Sequence, residues 1–166
     1  MAENGAKRIR LGMVGGGTGA FIGYVHRVAS RIDGDYELVA GALSSRPDVA
    51  KESGRNIGLA EDRIYTSYEE MARAEAARPD GIQAVSIVTP NHMHYGPAKA
   101  FLEAGIHVIC DKPLTSTLED ARKLAAIKPA NGAKFLLTHN YTGYPLIRQA
   151  REMVESGRLG KIRVIQ

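Results

Sequence analysis

Four short segments of this sequence carry residue types that could do chemistry: Gly15-Gly16-Gly17-Thr18-Gly19-Ala20, Thr89-Pro90-Asn91-His92-Met93-His94, Asp111-Lys112-Pro113 and Thr138-His139-Asn140-Tyr141. The first fits G-x-G-x-x-A, with Gly15, Gly17 and Ala20 in the three defining places. In that pattern the first glycine permits a tight turn, the second lets a phosphate approach the backbone, and a small third residue lets a helix pack on a strand. Free amides and the positive end of the helix dipole then suit a pyrophosphate. Lys112 stands between a carboxylate and a proline, and an ammonium beside a carbonyl or alkoxide stabilises developing negative charge. Taken singly, each segment is ordinary. Glycines occur in strand-to-helix turns that bind nothing, and a lysine after a strand is commonly solvated, so position decides.

The elements that must position these segments follow from hydrophobic periodicity. Ile9 to Val14 reads as a strand ending in the glycines, and Phe21, Ile22, Val25, Val28 and Ile32 then recur at helical intervals across Thr18 to Arg31 and just beyond it. The unit repeats: strand at Glu37 to Leu43, a helix opened by Pro47, a short strand around Ile64, and a helix at Tyr68 to Ala77. Ile82 to Val88, Ile106 to Cys110 and Phe135 to Thr138 read as further strands, separated by helices at Tyr95 to Ala104 and Leu118 to Ile127, the latter with Ser116 or Thr117 as cap. This alternation predicts an α/β fold, a doubly wound parallel sheet of the Rossmann kind, with right-handed crossovers. The glycine turn follows its first strand and opens its first helix, which favours a dinucleotide over a structural turn. The other three segments fall where strands end, the edge at which open α/β sheets bind ligands. After Tyr144 the pattern changes: Pro145 to Ser156 is strongly helical and Lys161 to Gln166 reads as a new strand. The expected division is therefore a cofactor domain at 1–144, then a linker helix and first strand of a truncated second domain at 145–166.

At 166 residues the chain suits one ordinary domain. Its net charge of +4 comes from basic residues interleaved with acids such as Glu69, Glu70, Glu119 and Asp120, and only Lys7, Arg8 and Arg10 cluster, which argues against a nucleic-acid partner. The polar start Met1 to Lys7 and the lack of any long apolar run argue against a leader and against the membrane. A single cysteine, Cys110, excludes an internal disulfide and makes the cytoplasm the default location. His92, His94, His107 and His139 lack the spacing of a zinc set, so no metal is expected. Of these, His94 reads as lining the cofactor pocket, and His92 and His139 as supporting polar residues.

At the end of the second strand, where an acid usually holds the ribose hydroxyls for NAD, the sequence has Ser44-Ser45-Arg46. Hydroxyls with a guanidinium suit a 2′-phosphate, which favours NADP over NAD, although Ser45 and Arg46 also serve simply to start a helix. Asn140 is the better candidate for a polar contact near the nicotinamide, while Tyr141, Tyr144 and Pro145 fit core or pocket wall equally.

Together these segments resemble the glucose-fructose oxidoreductase, inositol dehydrogenase and rhizopine-catabolism (GFO/IDH/MocA) family over nearly the whole chain. The run AGIHVICDKPLTSTLEDA, Ala104 to Ala121, is the most specific part, since it is similar to the family's AGKHVLCEKP signature, with Asp111 in place of glutamate. The glycine loop Gly15 to Gly23 is longer than the simplest fingerprint. The resemblance implies an NAD(P)-dependent dehydrogenase acting on a sugar, polyol or inositol-like substrate, with Lys112 beside nicotinamide and substrate. It places the general acid/base in the second domain and implies a homo-oligomer for the full-length protein. The implied cofactor-binding set is Gly15, Gly17, Thr18, Gly19, Ala20, Phe21, Ile22, Ser44, Ser45, Arg46, Thr89, Pro90, Asn91, His94, Asp111, Lys112, Pro113 and Asn140, with Lys112 also catalytic. A non-catalytic dinucleotide-sensing module is the competing reading, because fold alone does not dictate turnover.

Overall fold

Short apolar runs punctuated by glycine and polar turns form five parallel strands, β1 (Ile9–Gly15), β2 (Tyr36–Ala42), β3 (Ala84–Val88), β4 (His107–Asp111) and β5 (Phe135–Thr138). They lie in the order β2-β1-β3-β4-β5 in a computed structural model that describes residues 7–166; the polar start of the chain up to Ala6 lies outside the described residues. The connecting helices are α1 (Phe21–Ile32), α2 (Pro47–Asn56), α3 (Tyr68–Ala77), α4 (Tyr95–Glu103) and α5 (Leu118–Ala125), and α6 (Pro145–Glu155) follows β5. The strand order reverses direction between β1 and β3, which opens a crevice at their carboxyl ends, the place where such sheets take ligands.

Local sequence explains the helix starts. Ser67 caps α3 by accepting from Glu70 N (3.1 Å), and Thr117, one of the two expected caps, does the same for α5 with Asp120 N (3.1 Å). Pro47 sits in the first turn of α2, where its missing N–H costs nothing.

Alternation along each strand divides the core between two sheet faces. On one, Val85, Ile87, Val108 and Cys110 pack with Met71, Phe101, Leu102 and Leu124 from α3, α4 and α5. On the other, Met13 and Val88 pack with Leu43, Leu59 and Ile22 of α1. This second face is unevenly covered: β4 and β5 align Ile109 with Leu136 on it, and Leu136 remains 54% exposed. Beyond β5, α6 carries an apolar stripe whose Leu146, Ile147 and Val154 are exposed. No helix among the described residues is long and apolar enough to cross a membrane.

Two expected strands are not formed. Around Ile64 there is a single parallel bridge to Gly41, because a 3-10 turn at Glu61–Arg63 and the Ser67 cap leave only Ile64, Tyr65 and Thr66 between them. Lys161 to Gln166 is exposed and joins no sheet among the described residues.

Candidate active site

The glycine turn between β1 and α1 sorts its tasks differently from the sequence expectation. Gly17 donates its N–H to Leu43 O (3.1 Å), and a Cβ there would meet Leu43 O and Ser53 Oγ, each at 2.8 Å. Gly17 is thus pressed against the loop after β2 and the buried Ser53 of α2. The open glycine is Gly19, with φ +82° and nothing within 4 Å of the position a Cβ would take. Close packing of helix on strand, expected of Ala20, belongs to Gly23, where a Cβ would clash with Gly16 Cα and stand 2.6 Å from Gly16 O. Ala20 is instead the residue before α1. Ser53 Oγ accepts from Thr18 N (2.9 Å) and donates to Thr18 Oγ1 (3.1 Å), which fixes the loop from α2. Because the obstacle at Gly23 is backbone, Gly23→Ala is expected to destabilise the fold by roughly 2–3 kcal/mol. Its denaturation midpoint should fall clearly below that of Gly19→Ala, whose strain is conformational only.

The turn borders a cleft of about 510 Å³ at the β1/β3 crevice. Of the residues expected to hold a cofactor, Gly15, Gly17, Thr18, Ala20, Ser44, Ser45, Thr89 and Pro90 line it. Thr66, Ser67, Tyr68 and Glu69 line it too, and sequence reasoning missed them. The helix expected at Tyr68 to Ala77 starts here, yet nothing local in the sequence says that this start faces the glycine turn. Burial and the Glu69 carboxylate push the Tyr68 phenol up to about 12. Thr89 Oγ1 is buried here with no hydrogen-bond partner among the described residues, beside Gly15. An orphaned hydroxyl, an open glycine and the amino end of α1 together fit the phosphates and ribose of a dinucleotide.

A second cavity, about 380 Å³, lies on the less covered sheet face and is lined by Asp111, Lys112 and Asn140 together with His26, Ser86 and Thr138. The β3/β4 register aligns Ile87 with Cys110, so Asp111 stands beside Val88 at the same sheet edge that forms the cleft. The Asp111 Oδ1 accepts from Thr138 Oγ1 (2.9 Å) and lies 3.8 Å from His26 Nε2, while His26 Nδ1 is 2.8 Å from Ser86 Oγ. Burial lowers the His26 pKa below 6.5 and Asp111 opposes that shift. His26 and Ser86 escaped the sequence reading, since 60 residues separate them. Burial, with Asp111 adding to it, pushes the Cys110 thiol up to about 12, so it is a packed thiol and not a nucleophile.

Several expected site residues do not line the cleft. His94, 1% exposed, has Nδ1 2.7 Å from Pro113 O and Nε2 3.0 Å from Thr89 O. It straps together two loops behind the cleft; a neutral ring donates to one carbonyl at a time. Phe21 is 78% exposed, Ile22 belongs to the core and borders the second cavity, and Asn91 is exposed. Gly19 borders the turn without being a lining residue, and Pro113 contributes only its carbonyl, to His94. Arg46 turns its guanidinium to Asp48 (Nη2 to Oδ2, 2.8 Å). The sequence reading counted no acid at this end of β2, but the first turn of α2 supplies one in Asp48. Among the described residues no three His, Cys, Asp or Glu side chains stand together as a metal site.

Comparisons with known proteins agree with this geometry. Residues 9–141 match the family model described as oxidoreductase family, NAD-binding Rossmann fold. An uncharacterized oxidoreductase of Bacillus subtilis is 40% identical over 96% of this chain and 41% of its own length. The crystal structure of an oxidoreductase from Sinorhizobium meliloti superposes with a TM-score of 0.89 at 63% identity, covering 95% of this chain and 44% of that one. An inositol dehydrogenase homolog from Azotobacter vinelandii, complexed with NADH and myo-inositol, has a TM-score of 0.89 at 47% identity, covering 95% of this chain and 42% of that one. The chain therefore spans less than half the length of these relatives. With its glycine turn, its Asp111-Lys112-Pro113 segment and its five-stranded parallel sheet matched along nearly all of its length, the chain belongs to the GFO/IDH/MocA oxidoreductase family and carries that family's NAD-binding Rossmann fold.

Proposed function

We propose that this chain is the cofactor half of an NAD(P)-dependent dehydrogenase that oxidises a CH–OH carbon of a sugar, polyol or inositol-like substrate. The observation that carries this is the placement of Lys112 and Asp111 at the sheet edge beside the dinucleotide cleft. A bound nicotinamide supplies the acceptor for the hydride that leaves the substrate carbon. The chain's own residues do the rest of the work on this side. The open turn at Gly19 and the amino end of α1 receive the pyrophosphate, Ser44 and Ser45 face the adenosine ribose, and Thr89 Oγ1 supplies a hydrogen bond within the cleft. The Lys112 ammonium faces the substrate oxygen and stabilises the negative charge that grows there as its proton leaves. Thr138 holds the Asp111 carboxylate, with His26 Nε2 3.8 Å from it, next to Lys112 in the chain.

The base that takes the hydroxyl proton belongs to the second domain of the whole enzyme, which also carries most of the substrate pocket and the interface of a homo-oligomer. The myo-inositol in the Azotobacter vinelandii complex is a ring of secondary alcohols, the substrate chemistry proposed here. Calorimetric titration of the 166-residue chain with NADH is expected to show one site, while myo-inositol and NAD+ give no steady NADH production. Failure to bind either NADH or NADPH would overturn the reading. Steady turnover by the chain alone would place the catalytic centre within it.

A further inference from the structure

The ribose edge of the cleft holds an arrangement that goes further than cofactor binding. Beyond β2 the chain passes through Ser44 and Ser45, which border the cleft, into Arg46, whose extended backbone precedes α2. Ser44 Oγ accepts from Arg46 N (3.1 Å), which fixes this turn and leaves the Ser44 O–H to donate into the cleft. The Arg46 guanidinium suits a phosphate monoester, and it is already bound to Asp48, at 2.8 Å. The Asp48 carboxyl is held below its ordinary range by Arg46 and by the Val49 backbone N–H, so it is charged throughout the neutral region. The two charges cancel just beyond the serines that border the cleft.

We propose that Asp48, beside the cofactor cleft and not lining it, is a specificity-determining residue: by neutralising Arg46 it sets the chain to bind NADH ahead of NADPH. This rests on the proposed dinucleotide function. The unphosphorylated ribose needs only the hydroxyls of Ser44 and Ser45, whereas the 2′-phosphate, with close to two negative charges at pH 7, needs an uncompensated cation. Both members of the pair are exposed, at 72% and 68% of their side chains, so charge and not packing links them, and salt weakens the link. Removing the carboxylate leaves a free guanidinium, removing the guanidinium leaves a bare carboxylate, and removing both restores neutrality.

Charge counting then fixes an order that a structural role would not produce. At low fixed ionic strength, NADPH affinity should rise about tenfold in Asp48→Asn. It should fall in Arg46→Ala and return close to the unmodified chain in the double variant. NADH affinity should stay within about twofold throughout, and the NADPH gain should shrink as salt rises. The probes are NADH and NADPH themselves, titrated against all four chains and followed by heat, with thermal melts confirming that each is folded. If the gain persists in the double variant, or if NADH shifts in step with NADPH, Asp48 does not act through Arg46 and the proposal fails. Loss of binding to both cofactors by the unmodified chain would overturn the dinucleotide reading itself, a different result from an unchanged preference.

Discussion

In a chain that carries the second domain, Lys112→Ala is expected to lower turnover by about two orders of magnitude while NADH affinity stays within about twofold. The magnitude is what loss of one contact to a developing oxyanion commonly costs. The split between turnover and affinity follows from place: Lys112 lines the cavity beside the cleft, whereas the groups suited to the phosphates and ribose line the cleft itself. Lys112→Arg should rescue poorly, because a planar fork does not put a point charge where an ammonium does. Steady-state kinetics with myo-inositol, paired with a binding titration of the same variant, checks both halves. Unchanged turnover would make Lys112 an ordinary exposed lysine after a strand.

The largest loss of stability is expected at Glu75, which lines neither cavity. Its carboxylate is fully enclosed and accepts from Arg63 Nη2 and Nε, from Tyr65 OH (2.9 Å) and from Ile82 N (3.0 Å). One side chain thus fastens the 3-10 turn before Ile64 and the entry to β3 onto α3. Glu75→Ala strands a buried guanidinium and two further donors at once, for a cost of about 3–5 kcal/mol. Arg78→Ala, which removes exposed pairs with Asp62 and Asp80, should cost far less. Urea unfolding of the two variants side by side tests this, and equal midpoints would mean that the Arg63–Glu75 pair contributes no more than a surface contact.

Glu75 also shows where sequence reading stops. The periodic strands, the helix starts at Pro47 and Thr117, and the glycine turn were legible because each is a local pattern that physical chemistry reads within a few residues. The Arg63–Glu75 contact joins residues 12 apart on different elements, and His26 meets Ser86 and Asp111 only because α1 folds back over β3 and β4. Glycine roles were misassigned for the same reason: that Gly23, not Ala20, must lack a side chain depends on how steeply α1 crosses Gly16. His94 read as a pocket residue because its strand-end position allowed it, but its ring is held between Pro113 O and Thr89 O, behind the cleft. Asp48 falls outside the strand end, where an acid for the ribose is usually sought, because it is the second residue of α2.

The helix α1 touches both ends of the proposed chemistry. Its amino end follows the open Gly19 turn, and His26, in its second turn, reaches Asp111 next to Lys112. A helix rises about 1.5 Å per residue, so these points lie roughly 9 Å apart on one stiff rod. Gly23 sits between them as the fulcrum, set directly on Gly16. A bulkier fulcrum would tilt the rod and move the phosphate seat and the histidine in opposite senses. Defects introduced at the two ends should therefore compound with a Gly23 variant instead of adding, an interaction that a double-mutant cycle measures directly.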